Sequence, residues 1–453
     1  MFTRNRTKYL TNGCLVFLLL ISAFVHPLQV NQNTFTATTK GFEIKLLQNA
    51  GMNFVHAELF IYYKDKKINP AIRYMTLLNI FDEDVNQSGS STLNILKKLG
   101  NDYEITHRPD YLLFEINFLE DKLNTFMQFL KSIYSYKAFT LKKLDYIVSH
   151  YWDLFLKEQD WKKTAAFQVA YRKLFPGHPL GNSLIVPRLI KSINLAQIRS
   201  YYSSTYTLAN STLILKGSIK EAMAVGTFNR QFKSFKKQER EKHDTDEKLD
   251  INSGREIIIY HIDNNGLPEI FWFETIPPLI HKNHIPARVL NDMLFGQPIG
   301  RVSRAKVNNG IRYLKIDTEV FNHRQVSVIC NTIRLNFNDI EKFILSVDIE
   351  KRKLKKINRR EYLDAKNYFS GQLKVNTRKF ENQVKIERDF SFFNPQINRQ
   401  AASFIKASQQ ITYENLTALG PSLNGGTIVI VGNAGLITRN LTVLKPRIIR
   451  YIH

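Results

Sequence analysis

The sequence predicts an α+β protein of two homologous domains, each a mainly antiparallel sheet backed by helices. Apolar and polar residues alternate over 112–118, as expected for a half-buried strand, whereas apolar residues recur at helical spacing over 123–133 and 141–155. The helix–link–strand–glycine pattern of 193–217 occurs again at 411–435, which indicates an internal duplication. A chain of 453 residues has room for two such domains.

The N-terminus has the features of an export segment. Basic residues and no acids precede a twelve-residue apolar run, 14–25. Such a run is short for a bilayer span and typical of a signal-peptide core. No small-x-small cleavage site follows it, so residues 1–30 are predicted to be either a signal peptide or an N-terminal anchor. Only Cys330 remains beyond this segment, and an exported chain without disulfides favours a periplasm or cell envelope.

Residues 34–232 are predicted to form the first domain. Apolar patterning and turn residues place its elements, and Asn194 and Thr140 stand where helix N-caps are expected. The predicted elements are a strand at 54–63, a helix at 71–81, a strand at 112–118, helices at 123–133, 141–157 and 195–202, and a strand at 212–216.

Residues 233–253 are densely charged and are predicted to be a linker. The second domain then covers 254–445 and repeats the plan of the first. Its predicted elements are strands at 256–262, 313–320 and 325–332, a helix at 285–295, two long helices of which the second begins at 357–361, and a final apolar strand before 435. The pair His281 and His284 has no nearby acids and is predicted to lie on the surface.

One stretch connects this chain to a known family. The turn 175–181 (FPGHPLG), the capped helix at 195–202 and the strand that stops at Gly217 resemble, in order and spacing, part of the N-terminal domain of the pitrilysin, insulinase and mitochondrial processing peptidase family. The resemblance implies a two-domain bacterial-type member, whose domains form half of a clam-shell chamber. His178 is expected to be a structural residue of the turn.

The zinc chemistry of that family is absent here. The family's zinc-binding helix carries His-x-x-Glu-His, in which two histidines bind the metal and the glutamate polarises water. In the matching helix Arg73, Thr76 and Leu77 occupy the ligand, base and ligand positions. Arginine stays protonated and leucine has no lone pair, so neither binds a metal ion. The sequence therefore predicts no catalytic residue, no bound metal and no peptidase activity of this chain alone.

The family's third ligand is a glutamate in the helix that corresponds to 141–157. The candidates at that place are His150 and Asp153, and both lie opposite the apolar stripe of the helix. We expect them on a solvated or cavity-facing side, because one lone imidazole or carboxylate does not make a zinc site.

A second family feature concerns substrate. The family's "R-x-x-x-G-L-x-Y" segment holds the substrate backbone, and it corresponds here to Lys306, Gly310 and Tyr313. The resemblance implies that Lys306 and Tyr313 bind peptide, although lysine lacks the planar fork of arginine. In the alternative interpretation, Tyr313 begins a buried strand and Lys306 is a surface cation.

These observations predict a non-catalytic peptidase homologue that acts as substrate-binding or regulatory subunit of a zinc endopeptidase. Its ligand would be a peptide or unfolded polypeptide, and zinc would reside only in a homologous partner, unless the chain pairs with itself. The alternatives are a stand-alone peptide-binding or structural protein, comparable to the core subunits of respiratory complexes, and a metallopeptidase with non-standard ligands.

The net charge of +24 does not change this expectation. The basic residues look scattered and no nucleic-acid-binding motif is present, so no nucleic-acid partner is predicted. Membrane contact is expected only through the N-terminal apolar segment.

Overall fold

The computed structural model describes most of the chain beyond the N-terminal segment. The described residues are 34–48, 51–63, 68–86, 91–100, 103–107, 111–156, 161–181, 190–240, 249–252, 254–263, 266–296, 300–304, 310–311, 313–323, 325–376, 401–420 and 426–450. The predicted export segment and Lys306 therefore lie outside them. Within them, no helix is both long and apolar enough to cross a membrane.

A six-stranded sheet forms the first half of the molecule. Its strands are β1 (Thr34–Thr39), β2 (Phe42–Gln48), β3 (Phe54–Tyr62), β4 (Tyr103–His107), β5 (Tyr111–Leu119) and β6 (Ser211–Gly217), in the spatial order β1-β2-β6-β3-β5-β4. Only β2 and β6 pair in parallel; the other neighbours are antiparallel.

Seven helices of the described residues belong to this half. They are α1 (Pro70–Phe81), α2 (Ser91–Leu99), α3 (Leu123–Tyr134), α4 (Leu141–Leu156), α5 (Trp161–Leu174), α6 (Leu195–Thr205) and α7 (Glu221–Gln231). The predicted cap of α6 is present as a capping box, in which Asn194 and Gln197 satisfy each other's backbone N–H groups. One face of β3, with Val55, Ala57 and Leu59, packs into the same apolar core as α1, α3 and α4.

The second half repeats this arrangement. Its strands are β7 (Glu256–His261), β8 (Glu269–Ile276), β9 (Tyr313–Asn322), β10 (Ser327–Leu335), β11 (Thr427–Gly432) and β12 (Arg447–Arg450), in the order β12-β7-β11-β8-β10-β9. Its described helices are α8 (His284–Phe295), α9 (Ile340–Lys353), α10 (Arg359–Asn376), α11 (Ala401–Gln409), α12 (Tyr413–Leu419) and α13 (Ala434–Thr438).

The two sheets are equivalent in five of their six positions. Strands β7, β11, β8, β10 and β9 stand in the order of β2, β6, β3, β5 and β4, and β7 pairs with β11 in parallel as β2 does with β6. The outermost strand differs, because β1 precedes β2 and pairs with it antiparallel, whereas β12 comes from the C-terminal end and pairs with β7 in parallel. The predicted fold class is confirmed: the protein has two six-stranded mixed sheets with helices.

Helix α5 belongs to the first half in sequence but packs against the second sheet. The ring of Phe167 makes edge-on contacts with Phe273 of β8 and Phe321 of β9, at centroid distances of 4.8 and 4.4 Å. Ion pairs at the same contact join Lys162 to Glu269 at 3.0 Å, Lys163 to Glu319 at 2.6 Å and Lys173 to Glu256 at 2.6 Å. The two halves therefore share one hydrophobic core.

The structure also shows how part of the predicted linker lies. Arg240 donates hydrogen bonds to Glu43 of β2 and to Thr212 of β6, at 3.0 and 2.9 Å. The backbone N–H of Gln238 donates to the carbonyl of Lys40. Residues 238–240 of this charged segment are thus held at the beginnings of β2 and β6, two neighbouring inner strands of the first sheet.

The prediction that His281 and His284 both lie on the surface is wrong for His284. His281 is exposed, but the His284 side chain is fully buried at the start of α8, with Nδ1 2.9 Å from the carbonyl oxygen of Pro277. Burial, followed by the charge of Arg288, lowers the pKa of His284 to about 3. The run of polar residues at this helix entrance did not reveal that the His284 ring packs beside Phe404, 6.1 Å between centroids.

Candidate functional site

Helix α1 is the place where the resemblance puts the zinc-binding motif. Its start is defined by Asn69, whose side chain accepts a hydrogen bond from the N–H of Ala71, and by Pro70 in the first turn. All twelve residues of the helix are buried. The helix packs against α4 and α6, so its side chains are fixed by core packing on several sides.

The three motif positions of α1 carry a cation, a hydroxyl and an alkyl group, all inside the core. The guanidinium of Arg73 lies 4.3 Å above the ring of Tyr63, which is the geometry of a cation–π contact. The hydroxyl of Thr76 donates to the carbonyl of Ile72, one turn earlier, at 2.7 Å. Leu77 is a buried member of the hydrophobic cluster. A permanent cation occupies a position where the family's chemistry needs a lone pair.

The two candidates for the third ligand lie on the exposed face of α4. His150 is exposed, and its Nδ1 lies 3.0 Å from the carbonyl oxygen of Tyr146, on whose ring it stacks. Asp153 is also exposed. The contact between α1 and α4 is instead aromatic, because the ring of Tyr74 meets the ring of Tyr151 edge-on at 5.9 Å. Neither candidate approaches the motif positions through this contact.

One group of possible metal ligands is present elsewhere among the described residues. His56 and Glu58 of β3 and Glu115 of β5 place one ligand atom each within 4.8 Å of one another. Strand alternation puts them on the face of the first sheet opposite to the α1 side. The sequence analysis did not single them out, and the His-x-Glu spacing of β3 was the available signal.

The charges around this group match an ion-pair cluster better than a metal site. The imidazole of His56 lies 2.8 Å from Asn117 and 3.5 Å from Glu58. Burial opposes protonation, but the hydrogen bond and charge of Glu58 outweigh it and raise the pKa of His56. Lys216 of β6 is the register partner of His56 and is fully buried. The raised pKa of His56 favours a cationic imidazole, and Lys216 places a second buried basic side chain opposite it on the neighbouring strand.

The predicted peptide-binding pair is only partly described. Lys306 lies outside the described residues. Gly310 has a φ of 64°, a conformation that favours glycine, and precedes β9. Tyr313 is the first residue of β9 and pairs with Leu335 of β10 at a shift in the register between the two strands, while its side chain lies outside the described residues. Strand β9 is one of the two outermost strands of the second sheet, at the end opposite to β12.

A small cavity lies near the segment that leads to Lys306. Its volume is about 160 Å³, and it is lined by Met293 of α8, by Glu361, Asp364 and Ala365 of α10, and by Arg304. The guanidinium of Arg304 donates a hydrogen bond to Glu361 at 3.0 Å, so the segment that carries Arg304 is bound to α10 at the cavity.

Comparisons with known proteins agree with this geometry. Residues 192–319 match the family model described as the peptidase M16 inactive domain. No curated protein matches the sequence significantly.

Solved structures with the same fold come from several bacteria. A Helicobacter pylori protease is 14% identical, with a TM-score of 0.70 over 88% of this chain and 99% of its own. A peptidase M16 inactive domain from Pseudomonas fluorescens is 16% identical, with a TM-score of 0.69 over 92% and 100%. The first half of the periplasmic protease PqqL from Escherichia coli is 13% identical, with a TM-score of 0.65 over 91% and 94%. The predicted resemblance is confirmed.

Proposed function

We propose that this chain, an M16-family protein that lacks the catalytic zinc motif, binds peptides as a substrate-binding or regulatory subunit of a zinc endopeptidase. Its ligand is a peptide or unfolded polypeptide in extended form. The metal and the hydrolytic step belong to a homologous partner, and the complex resides in the cell envelope.

The observation that carries this proposal is the state of α1. Arg73 and Leu77 stand where two imidazoles would bind zinc, and both are packed into the core. Rebuilding a metal site there would require replacing a buried cation and a buried alkyl group together. Hydrolysis by the family's mechanism therefore needs a metal from another chain.

The second sheet offers a place for an extended peptide. Among the described residues, β9 has no strand neighbour on its outer side, so its outward N–H and C=O groups are available for pairing with a ligand strand. Exposed Lys315, Asp317 and Thr318 follow Tyr313 along this strand. Tyr313 begins the strand that would pair with the peptide.

One relative supports a two-part assembly. The chain corresponds to 94% of a structure that is itself the first half of a periplasmic protease. In the proposed complex a homologous partner takes the place of the other half. A stable pairing of this kind buries at least ~1,000 Å². The same relative, described as periplasmic, supports export.

The proposal is tested by isolating the full chain from its native envelope. We expect mass spectrometry to find a co-purifying chain with an intact His-x-x-Glu-His motif, and elemental analysis to find zinc only when that chain is present. Light scattering of the pair should give the mass of a heterodimer. A monomer that co-purifies with no zinc-bearing partner and still binds peptide would instead support the stand-alone binding function.

The lesser alternative, a metallopeptidase with non-standard ligands, has its own test. If His56, Glu58 and Glu115 held a catalytic metal, about one zinc per purified chain and measurable peptidase activity would both disappear on His56→Ala. We expect neither metal nor activity in the unmodified chain, because the raised pKa of His56 favours the protonated imidazole, which cannot bind a metal ion.

A further inference from the structure

A rigid cationic corner stands between α9 and α10. Six exposed cations fall within nine residues of this turn: Arg352, Lys353, Lys355, Lys356, Arg359 and Arg360. We call this segment, 352–360, the basic turn. The expectation that the basic residues are scattered along the sequence is wrong for this segment. The apolar residues between its cations are buried, so the cations lie together on one exposed surface.

Two buried anchors and several hydrogen bonds hold the basic turn. Leu354 is fully buried and Ile357 nearly so, both in the core beneath α10. The carbonyl of Ile357 accepts a hydrogen bond from the hydroxyl of Tyr413 at 2.6 Å, and that of Lys356 accepts one from Arg301 at 3.1 Å. The backbone is therefore preorganised, and the cations project from a fixed corner.

The two acidic residues that border the basic turn, Glu350 and Glu361, are already paired, whereas Asp364 further along α10 is exposed. Glu350 binds Lys353 at 2.7 Å, and Glu361 binds Arg301 at 2.8 Å and Arg304 at 3.0 Å. Among the described residues, no carboxylate oxygen lies within 4.0 Å of the cationic groups of Arg352, Lys355, Lys356, Arg359 and Arg360.

Exposed apolar side chains flank the basic turn on both helices. Ile349, within the last two turns of α9, is 49% exposed, and Leu363, in the second turn of α10, is 51% exposed. A lipid interface binds surfaces that combine aliphatic and cationic side chains. The aliphatic side chains contact the acyl chains, and the cations bind the phosphate groups. A nucleic-acid site would present stacking aromatics or base-reading polar groups instead.

We propose that the basic turn docks this protein on the surface of an anionic phospholipid bilayer. The cations bind lipid phosphates, and Ile349 and Leu363 enter the boundary between head groups and acyl chains. This contact is peripheral and lies far in sequence from the N-terminal apolar segment. It would fix the orientation of the second half relative to the membrane.

The test uses the full chain and flotation with two kinds of vesicle, phosphatidylcholine alone and phosphatidylcholine mixed with phosphatidylglycerol. The measured quantity is the ratio of the two partition coefficients, because any contribution of the N-terminal segment is common to all variants. The turn variant combines K355Q, K356Q, R359Q and R360Q. The matched control combines K98Q, K122Q, K142Q and K191Q, four exposed lysines of the first half.

Each cation that reaches an anionic surface contributes about fivefold in partitioning. We expect the ratio of partition coefficients to fall by at least ~25-fold in the turn variant, which corresponds to the loss of two contacting cations. In the control it should fall by less than about fivefold. Equal losses in both variants, with unchanged thermal unfolding, would overturn the proposal, since they would indicate a general charge effect. Loss of binding to duplex DNA with intact vesicle binding would overturn it as well.

A fluorescence measurement locates the contact. With Cys14→Ser in every variant, an environment-sensitive dye is attached at Leu363→Cys or, as control, at Met223→Cys, which is 43% exposed in the native chain. Cys330 is buried and is not expected to react. Anionic vesicles should shift the emission of the dye at 363 to the blue and leave the dye at 223 unchanged. No shift at 363 contradicts the proposal.

Discussion

The hydroxyl of Tyr171 and Nε2 of His323 lie 2.8 Å apart and form a buried hydrogen bond between the two halves of the chain. Tyr171 belongs to α5 and His323 follows β9, so the bond joins the first half to the end of an outer strand of the second sheet. The rings also meet edge-on, at 5.5 Å. The relationship shows that α5 is a shared structural element and not a surface helix of the first domain.

The first prediction concerns the core around α5. Phe167→Ala should lower the free energy of unfolding by about 2–4 kcal/mol, because the ring packs against both Phe273 and Phe321 and leaves a cavity when removed. Denaturant unfolding followed by tryptophan fluorescence measures this loss. Leu119→Ala, at a position that is 58% exposed, is the control and should change stability by less than about 0.5 kcal/mol. An unchanged unfolding free energy in Phe167→Ala would show that the halves do not share a core.

The second prediction concerns the motif positions of α1. Replacing Arg73 and Leu77 by His together with Thr76→Glu recreates the motif letters but should lower stability by about 3 kcal/mol or more. The change buries polar groups without prepared partners and removes the contact of Arg73 with Tyr63. Leu77→Met, which nearly conserves volume, is the control and should cost less than about 1.5 kcal/mol. Elemental analysis and a peptide-cleavage assay should find no active zinc enzyme; an active one would contradict the interpretation of α1.

The third prediction is a pH effect at Glu341 of α9. Its carboxylate accepts three backbone N–H bonds from 442–444, at 2.7–2.9 Å, and one from the hydroxyl of Thr442. Desolvation opposes ionisation, but these hydrogen bonds outweigh it and lower the pKa of Glu341 to about 2. The stabilisation is therefore complete above the ordinary pKa of 4.5 and disappears as the pH falls towards 2.

Glu341→Gln tests this pH effect. The variant should be less stable than the native chain by ~1.5–3 kcal/mol at neutral pH, the contribution of a hydrogen bond to a charged group. The difference should shrink between pH 4.5 and 2. Glu239→Gln, at an exposed position before β7, is the control. A difference that stays constant down to pH 2 would contradict the assignment.

The fourth prediction concerns two groups of α8 with opposite pH dependence. Burial lowers the pKa of His284 to about 3 and raises that of Asp292 to about 6, the latter against the charge of Arg288. The His284 contribution is present above 6.5 and is lost as the pH falls towards 3. Ionised Asp292 lowers the stability of the fold above pH 6, and this destabilisation disappears as the pH falls from 6 to 3.8.

The two slopes should nearly cancel in the native chain between pH 6 and 4. His284→Gln removes one of them, so its stability relative to the native chain should rise on acidification, by up to ~1.4 kcal/mol per pH unit. Asp292→Asn should show the opposite trend. Thermal unfolding across this pH range measures both, and parallel curves for all three proteins would show that neither group is perturbed.

The fifth prediction concerns Tyr313 and Lys306. Tyr313→Phe should leave stability unchanged and reduce peptide affinity, or the rate of the partnered complex, by roughly tenfold, because one hydrogen bond is lost. Lys306→Ala should reduce binding, whereas Lys306→Arg should retain it. Peptide titration by fluorescence anisotropy measures both. A lowered melting temperature of Tyr313→Phe with unchanged affinity would mean that this ring belongs to the core.

Local elements were predictable because their causes are local. The helix after Asn194 and the strand before Gly217 follow from a capping side chain, apolar periodicity and a glycine, and the structure has both. Strand β8 was not predicted, because both of its faces are buried and its sequence shows no alternation. The group of His56, Glu58 and Glu115 was also missed. It depends on the register that places Glu58 opposite Glu115, two residues far apart in sequence.

The sequence by itself determined that the family's zinc-binding motif is missing from α1. Whether Arg73 or Leu77 can bind zinc is decided by their own atoms, so no fold can restore the ligand set. Tertiary structure alone decided where α5 lies, that His284 is buried and that the cations of the basic turn stand on one fixed corner. The physical reason is that periodicity shows which face of a segment is apolar, but not which distant surface covers it.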